Sequence, residues 1–425
     1  MNDLLFKRNI IAIDLKSFFA SCECLERNLD PFNTPLIVCN PNQKGAITLA
    51  VTPFLKQFGV PGRCRIYDLP KYQIPKWINI IKAPPRMSLY IKKSKEVIGV
   101  YLEFVAKEDM HIYSIDEVLL DVTNYLKMYK MTDYELALKI LNRIKEKTGL
   151  TATAGIGPNM FLAKVAMDIE AKHTKDNIAK WTYDDIQTKL WEITPLSKMW
   201  SIGKRMEIRL NKLGIYKVGD IANYNKNKLR EKFGIIGLEL WNHANGIDTA
   251  KISDLNYEPK EKSISHSQVL FKDYNEETIG LIIKEMTEVL TKRLRTLKKI
   301  TTVIGLGIGY SKNVGGGFYH VQKQDTGTSD TKAIHEVCLS IFDKYYEDYP
   351  IRKVSISLGG LQDDIGIQIN LFEPLEEIKH TKSKDEVVDK IQEKFGANSI
   401  IKASSLLPHS TAIERNKKIG GHNAN

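Results

Sequence analysis

Three acidic residues carry the chemistry that this sequence could do. Asp14 closes the apolar run IIAIDL, and Asp116 and Glu117 stand together in YSIDEV. Both segments read as strand ends, and strands lying side by side would bring the three carboxylates together. Clustered acids with no fixed Lys or Arg partner repel strongly unless cations sit between them. Oxygen-only ligands suit Mg2+, which keeps waters and takes substrate phosphates as further ligands. Two such ions can clamp the attacking and leaving oxygens of an in-line displacement. The implied chemistry is phosphoryl transfer, in which positioning and charge neutralisation supply most of the catalysis. Taken singly, the same residues read as a strand-end cap and a turn, so the surrounding sequence must decide.

The elements that would position these acids are legible as hydrophobic periodicity. IIAIDL is a short strand rich in β-branched residues. The helical stretch SFFASCECLER follows; Ser17 is its candidate cap, and Ala20 leaves a capping box incomplete. PLIVCN and GAITLAV read as strands, FLKQFGV as a helix ending at Gly59, and 61–85 as irregular. A helix over 88–104, the strands HIYSID and EVLLDV around a tight turn, a helix over 135–147, the strand TATAGIG and a helix over 159–170 complete a split βαβ pattern with insertions. From 193 to 247 short helices punctuated by glycines form a compact helical domain. After a charged linker near 258–262, residues 263–360 alternate strand and helix again on a second split βαβ plan. A charged amphipathic stretch and a polar tail ending in IGGHNAN follow Pro374.

The bulk properties narrow the class of protein without deciding it, since a merely basic soluble protein would show the same balance. The 425 residues are 43% hydrophobic, enough for two to four domains, and 27% charged, which is globular rather than disordered. A net charge of +11 favours a polyanionic partner, nucleic acid or an acidic membrane surface. No run approaches the ~18 apolar residues that span a bilayer, so a soluble, cytoplasmic and nucleoid-associated protein is expected, with no membrane partner. The five cysteines are odd in number and show neither a disulfide framework nor zinc spacing. They read as reduced packing residues.

In this order and spacing, three motifs resemble those of Y-family, translesion-type DNA polymerases. IDLKSFFASCE is similar to the first motif, YSIDEVLLDV to the second acidic motif, and TAGIGPNMFLAKVAMDIEAK to the third. Together they cover the first ~180 residues, and their joint occurrence is far more specific than any one alone. DLKSFFASCE, the Lys of FLKQFGV and the terminal IGGHNA resemble the bacterial UmuC/UvrX-like branch more than the DinB branch.

The resemblance implies an α+β multidomain, right-hand polymerase. Its ferredoxin-like palm would occupy 1–16 and 80–185, small fingers 17–79, and a helical helix-hairpin-helix thumb 186–250. An α/β little finger would occupy 260–366, and a clamp-binding segment and tail 367–425. It implies template-directed insertion of deoxynucleoside triphosphates opposite damaged DNA, an error-prone SOS-type repair reaction on primer–template DNA. The ligands of two Mg2+ ions would be Asp14, the Leu15 carbonyl, Asp116 and Glu117. Phe19 aligns with the steric gate that excludes a 2′-hydroxyl; adjacent helix residues face different ways, so one of Phe18 and Phe19 belongs to the core. Lys56 and Lys164 align with triphosphate contacts. The sequence departs from the pattern at Lys16, where the DinB branch has a second acid, and at Ala50 and Pro53, to which no role carries over.

SIGKRMEIRLNKLGI resembles the thumb's helix-hairpin-helix, whose turn at Ile202-Gly203, followed by Lys204 and Arg205, would offer backbone N–H groups to a phosphate without reading bases. Lys204 to Lys232 holds nine Lys or Arg against three Asp or Glu, and KRLRTLKK adds a second basic block. GLGIGY lacks dinucleotide-loop spacing and reads as a strand whose glycine face admits the DNA backbone. His111, His173 and His266 form no ligand cluster. QINLF, with Gln368, Leu371 and Phe372, resembles the bacterial sliding-clamp-binding motif; its plain alternative is a final edge strand. A RecA-type filament is a further possible partner. Two other readings remain: a DNA- and clamp-binding accessory with a decayed site, against which the three intact acids argue, and a nucleotide cyclase with a related palm, against which the basic blocks argue.

Overall fold

A computed structural model describes residues 7–41, 45–256, 262–364 and 375–425. The chain forms two compact units, Met1–Tyr257 with Asn423–Asn425, and Glu258–His422. Gln368, Leu371 and Phe372 lie outside the described residues.

The first unit is built on a sheet whose strands are β1 (Ile10–Leu15), β5 (Met110–Ile112), β6 (Glu117–Asp121), β7 (Ala152–Gly157) and β8 (Ile178–Lys180). The intervening elements are α1 (Phe18–Leu25), β2 (Leu36–Val38), β3 (Ala50–Val51), α2 (Pro53–Lys56), β4 (Ile81–Ala83), α3 (Met87–Tyr101), α4 (Leu126–Tyr129), α5 (Asp133–Thr148) and α6 (Met160–Ile169). The order β5-β6-β1-β7-β8 puts β1 in the middle, antiparallel to both β6 and β7. The crossovers from β1 to β5 and from β6 to β7 therefore each skip a strand, as a split βαβ pattern requires. β8 adds a parallel edge that the sequence reading did not include.

Period-two alternation divides β1 between two cores. Ile11, Ile13 and Leu15 join the cluster under α3 and α5, whereas Ile10 and Ala12 meet Met160, Ala163 and Met167 of α6. Asp14 shares the α6 face. Helix α6 can approach because β7 carries glycines there: a Cβ on Gly155 would lie 2.1 Å from the Ala163 carbonyl oxygen, and one on Gly157 would lie 2.6 Å from the Ala163 nitrogen. Thr132 and Glu135 form a capping box that starts α5, and Gly149 ends it in the left-handed region.

Local corrections to the sequence reading have local causes. Ser17 precedes α1 but sits at φ 50, left-handed, and its side chain caps nothing. GAITLAV contributes only the two residues of β3, and FLKQFGV only the single turn of α2, because Gly59 at φ +80 already turns the chain. Further along, α7 (Lys204–Asn211), α8 (Val218–Asn223), α9 (Lys226–Phe233) and α10 (Ile235–Ala244) surround Leu210, Val218, Ile221, Leu229 and Leu240, which are buried.

The second unit carries β9 (Ile264–Tyr274), α11 (Glu276–Thr296), β10 (Lys299–Tyr310), β11 (Gly317–Thr328), α12 (Thr331–Tyr345), β12 (Ile351–Gly359) and the short β13 (Gln362–Asp363). Its order β11-β10-β12-β9 again splits a βαβ unit, with β12 between β9 and β10. Ile279, Ile282, Ile283, Met286, Leu290 and Leu294 make the helical stripe of α11 that covers the sheet.

Two expectations change here. The glycines of β10 do not leave an open face: the Tyr319 hydroxyl and Ser357 Oγ meet at 2.6 Å, and a Cβ on Gly305 would lie 2.5 Å from Ser357 Oγ. The basic block at the end of α11 is partly engaged internally, with Arg295 bonded to Asp385 and Asp389 at 3.1 and 2.7 Å. These acids belong to α13 (Leu375–Phe395). The charged amphipathic stretch is thus the helix α13, and the polar tail after it carries α14 (Ala412–Asn416) and a hairpin of β14 (Lys418–Ile419) and β15 (His422–Asn423). Arg415, Ser410 and Thr411 bond the buried Glu285 of α11.

Candidate active site

Asp14 and Glu117 are register partners across β1 and β6, so their side chains leave the same face of the sheet. The Leu15 N–H donates to the Asp116 carbonyl at 2.9 Å, which ties the hairpin turn to the end of β1. That turn is closed by the Tyr113 and Ser114 N–H groups, both donating to the Glu117 carbonyl. Ser114 Oγ donates to Asp116 Oδ1 at 2.6 Å and orients that carboxylate. The three acids expected to act together are therefore brought together by β1 and one tight turn.

The surroundings contain what the sequence reading left out, a cationic partner. Lys164, buried on α6, places Nζ 2.8 Å from Glu117 Oε1 and 2.9 Å from Asp168 Oδ2. Lys172 lies 3.2 Å from Asp168 Oδ1 and 3.7 Å from Asp14 Oδ2. Asp168 and Lys172 follow Lys164 at successive spacings of four in the third motif, a helical i,i+4 signal that could have found them. Burial pushes the Asp14 carboxyl up to about 6, with Lys172 opposing and Asp116 adding to the rise. Burial likewise pushes Glu117 up to about 7, against the Lys164 ammonium. A divalent cation held by these carboxyls would compete with protons near neutral pH.

The donor set fits a hard divalent cation in type: carboxylate oxygens and a strand-end carbonyl, with no sulfur or imidazole. Among the described residues no three His, Cys, Asp or Glu side chains are already set to hold an ion. The Lys164 ammonium bonds Glu117 and supplies the positive charge on this side of the cluster.

Lys16, Lys56 and Lys172 form a second feature. Burial lowers the pKa of Lys16, and repulsion from Lys172 and Lys56 adds to it. Burial lowers that of Lys56 as well, and Lys172 lowers it further while Asp14 opposes. Three cations that repel one another beside an acid make a place where a polyanion is favoured. Lys56 stands on this side at the end of α2, whereas Lys164 faces the carboxylates.

Phe18 is buried in the core and Phe19 half-buried beside it, which separates the two rings as helical geometry demands. Ser17 in the left-handed region makes the sharp turn from β1 into α1. Away from these residues, Ile202 is buried while Gly203, Lys204 and Arg205 are exposed at the start of α7. Lys204 pairs with Glu207 at 3.2 Å. All five cysteines are free and buried. No described helix is long and apolar enough to cross a membrane.

The impB/mucB/samB family matches residues 13–168, its C-terminal domain matches 261–371, and the family's HHH motif matches 183–215. The putative UV-damage repair protein UvrX of Bacillus subtilis (strain 168) is 39% identical over 420 residues, covering 98% of each chain. DNA polymerase IV 2 of the same organism is 32% identical over 417 residues, 97% of this chain and 98% of that one. A solved Y-family DNA polymerase chimera superposes with a TM-score of 0.66 at 22% identity, over 84% of this chain and 99% of that one, which is a likeness of fold.

Proposed function

The chain belongs to the impB/mucB/samB family, the Y family of DNA polymerases, and is a DNA-directed DNA polymerase of the translesion repair class; from that premise we propose that it inserts deoxynucleotides opposite damaged template by two-metal phosphoryl transfer at Asp14, Asp116 and Glu117, in an SOS-type response. The observation that carries this reading is the register pair Asp14–Glu117, with Asp116 at its turn and a set of mutually repelling lysines alongside.

Asp14, Asp116, Glu117 and the Leu15 carbonyl would hold two Mg2+ ions. Bound there, the ions supply neutralisation of the triphosphate and of the primer 3′-oxygen. Lys164 orients Glu117 and partly offsets the effect of its burial until a cation takes its place. Lys56, with Lys16 and Lys172, holds the triphosphate, which offers a charge-based answer to the absence of side-chain donors at Ala50 and Pro53. Phe19 lies under the sugar and excludes a 2′-hydroxyl. Residues 1–16 and 80–185 act as palm, 17–79 as fingers, 186–250 as thumb and 260–366 as little finger. Ile202 anchors the turn from the core, while Gly203, Lys204 and Arg205 hold the duplex backbone through N–H groups at the start of α7 and through charge, without reading bases. Gln368, Leu371 and Phe372 dock a sliding clamp, and a RecA-type filament is a second partner of the repair reaction.

The test is primer extension with Mg2+ on intact and lesion-bearing templates. Wild type extends both, and Asp116→Ala abolishes extension while keeping DNA affinity. Failure of the wild type to extend any primer sinks the reading in favour of an accessory role. A cyclic product from free nucleotide without DNA sinks it in favour of a cyclase. Phe19→Ala admits ribonucleotides, and unchanged sugar discrimination refutes the gate.

A further inference from the structure

The Phe19 ring does not stand alone. The Tyr90 ring lies 4.4 Å away at an interplanar angle of 16°, a stacked pair, and Phe18 meets both at 5.6 and 6.5 Å. Tyr90 is fully buried on α3, and its hydroxyl donates to Glu23 Oε1 at 2.8 Å. Glu23 is also fully buried, on α1, one helical turn after Phe19. Arg86 reaches it in bidentate fashion, Nε to Oε1 at 3.0 Å and Nη2 to Oε2 at 2.7 Å. Arg27 donates to the same carboxylate and, at 2.7 Å, to the Glu23 carbonyl.

The arrangement is reciprocal. Phe19 and Glu23 are spaced i,i+4 on α1, and Arg86, at the N-cap of α3, precedes Tyr90 by the same four positions, so ring faces ring and charge faces charge. Burial alone would push the Glu23 carboxyl up, but the bonds from Arg86, Arg27 and Tyr90 hold it below its ordinary value. A buried ion pair of this kind adds little stability over an apolar pair of equal volume. What it does provide is direction: a bidentate guanidinium and a phenol hydroxyl fix the Tyr90 ring in rotation as well as in place. An apolar side chain at this position would fill the space without fixing the plane of the ring against it.

We infer that Tyr90, anchored by Glu23, is a positioning residue that backs the Phe19 ring and thereby sets the enzyme's discrimination between deoxyribose and ribose. The inference rests on the reading of Phe19 as the sugar gate. With Tyr90 behind it, the Phe19 ring has one face against a rigid wall and cannot yield to a 2′-hydroxyl. Without that wall the ring can tilt into the vacated volume, and the exclusion weakens.

The test measures kcat/KM for matched ribo- and deoxynucleoside triphosphates, taking the ratio so that a general loss of activity cancels. Tyr90→Leu raises relative ribonucleotide use roughly two- to tenfold, the scale of an aromatic pair expressed as an equilibrium factor. Tyr90→Phe, which keeps the ring and loses its anchor, raises it by a smaller factor. Phe19→Ala raises it most, and adding Tyr90→Leu to Phe19→Ala changes it no further, because the wall acts only through the gate. A wild-type ratio in Tyr90→Leu, alongside lost discrimination in Phe19→Ala, overturns the inference and leaves the gate standing. So do single effects that simply multiply in the double variant, which is what a merely structural role produces. If Tyr90→Leu does not fold, a wild-type ratio in Tyr90→Phe overturns it. A wild-type ratio in Phe19→Ala overturns the gate reading itself.

Discussion

Protonation of Asp14 and Glu117, the carboxyls proposed to hold Mg2+, should make Mg2+ affinity rise steeply with pH near neutrality. Burial sets Asp14 to titrate at about 6 and Glu117 at about 7. At pH 6 such carboxyls are ionised together in roughly 1 molecule of 22, and at pH 8 in about nine of ten. A cation that needs both carboxylates therefore binds about 20-fold more tightly at pH 8, a difference of about 2 kcal/mol. Binding at pH 6 releases about 1.4 protons per site, and almost none at pH 8.

The assay is calorimetric titration of Mg2+ into the enzyme–DNA complex at pH 6, 7 and 8, in two buffers of different protonation enthalpy. The stability of the metal-free protein gives an independent check. Both carboxyls titrate higher in the folded chain than in the unfolded one, so between about pH 4 and pH 7 the folded state holds more protons. Their contribution to stability is therefore lost as pH rises through that window, and Mg2+ restores it. An affinity that changes by less than about threefold between pH 6 and 8, or heats at pH 6 that do not depend on the buffer, refutes the argument.

Three further outcomes follow from the same geometry. Lys164→Ala leaves Glu117 and Asp168 without their shared ammonium and destabilises the metal-free enzyme by about 3 kcal/mol; millimolar Mg2+ recovers part of this, as denaturant unfolding with and without the ion will record. Gly155→Ala drives a methyl to within 2.1 Å of the Ala163 carbonyl oxygen and 2.4 Å of the Met167 nitrogen, backbone atoms that cannot yield locally. It lifts α6 and Lys164 from the sheet, with a loss of about 3 kcal/mol in unfolding experiments and of primer extension. Replacing Lys204 and Arg205 together by Ala lowers the slope of log affinity against log salt by about 1–2, equally on all template sequences, as fluorescence anisotropy over a salt series will show.

The candidate site was legible in the sequence because its residues are marked by local spacing. IIAIDL ends a strand in an acid, YSIDEV puts two acids at a turn, and the Gly-rich TAGIG precedes a helix that presents Lys164. Alternation along Ile10–Leu15 is enough to say that Asp14 faces away from Ile13 and Leu15, and the glycines mark where a helix comes close. The helical domain and the second split βαβ unit were legible for the same reason, since their periods and glycine stops are short-range signals.

Long-range pairing was left to the tertiary structure. Nothing local says that Lys164 meets Glu117 across 47 positions of chain, that Tyr90 stacks on Phe19, or that Arg295 turns to Asp385 and Asp389 rather than outward. The same holds for the tail, whose polar composition hides a segment bonded to a buried acid, Glu285. In each case a charged or aromatic side chain is neutral information until its partner is known, because solvation, pairing and burial change its free energy by more than its identity does. The sequence by itself determined which groups are candidates to hold metal and phosphate. Only the packing of α6 on β7 and of α1 against α3 decided which of them are held, by what, and how rigidly.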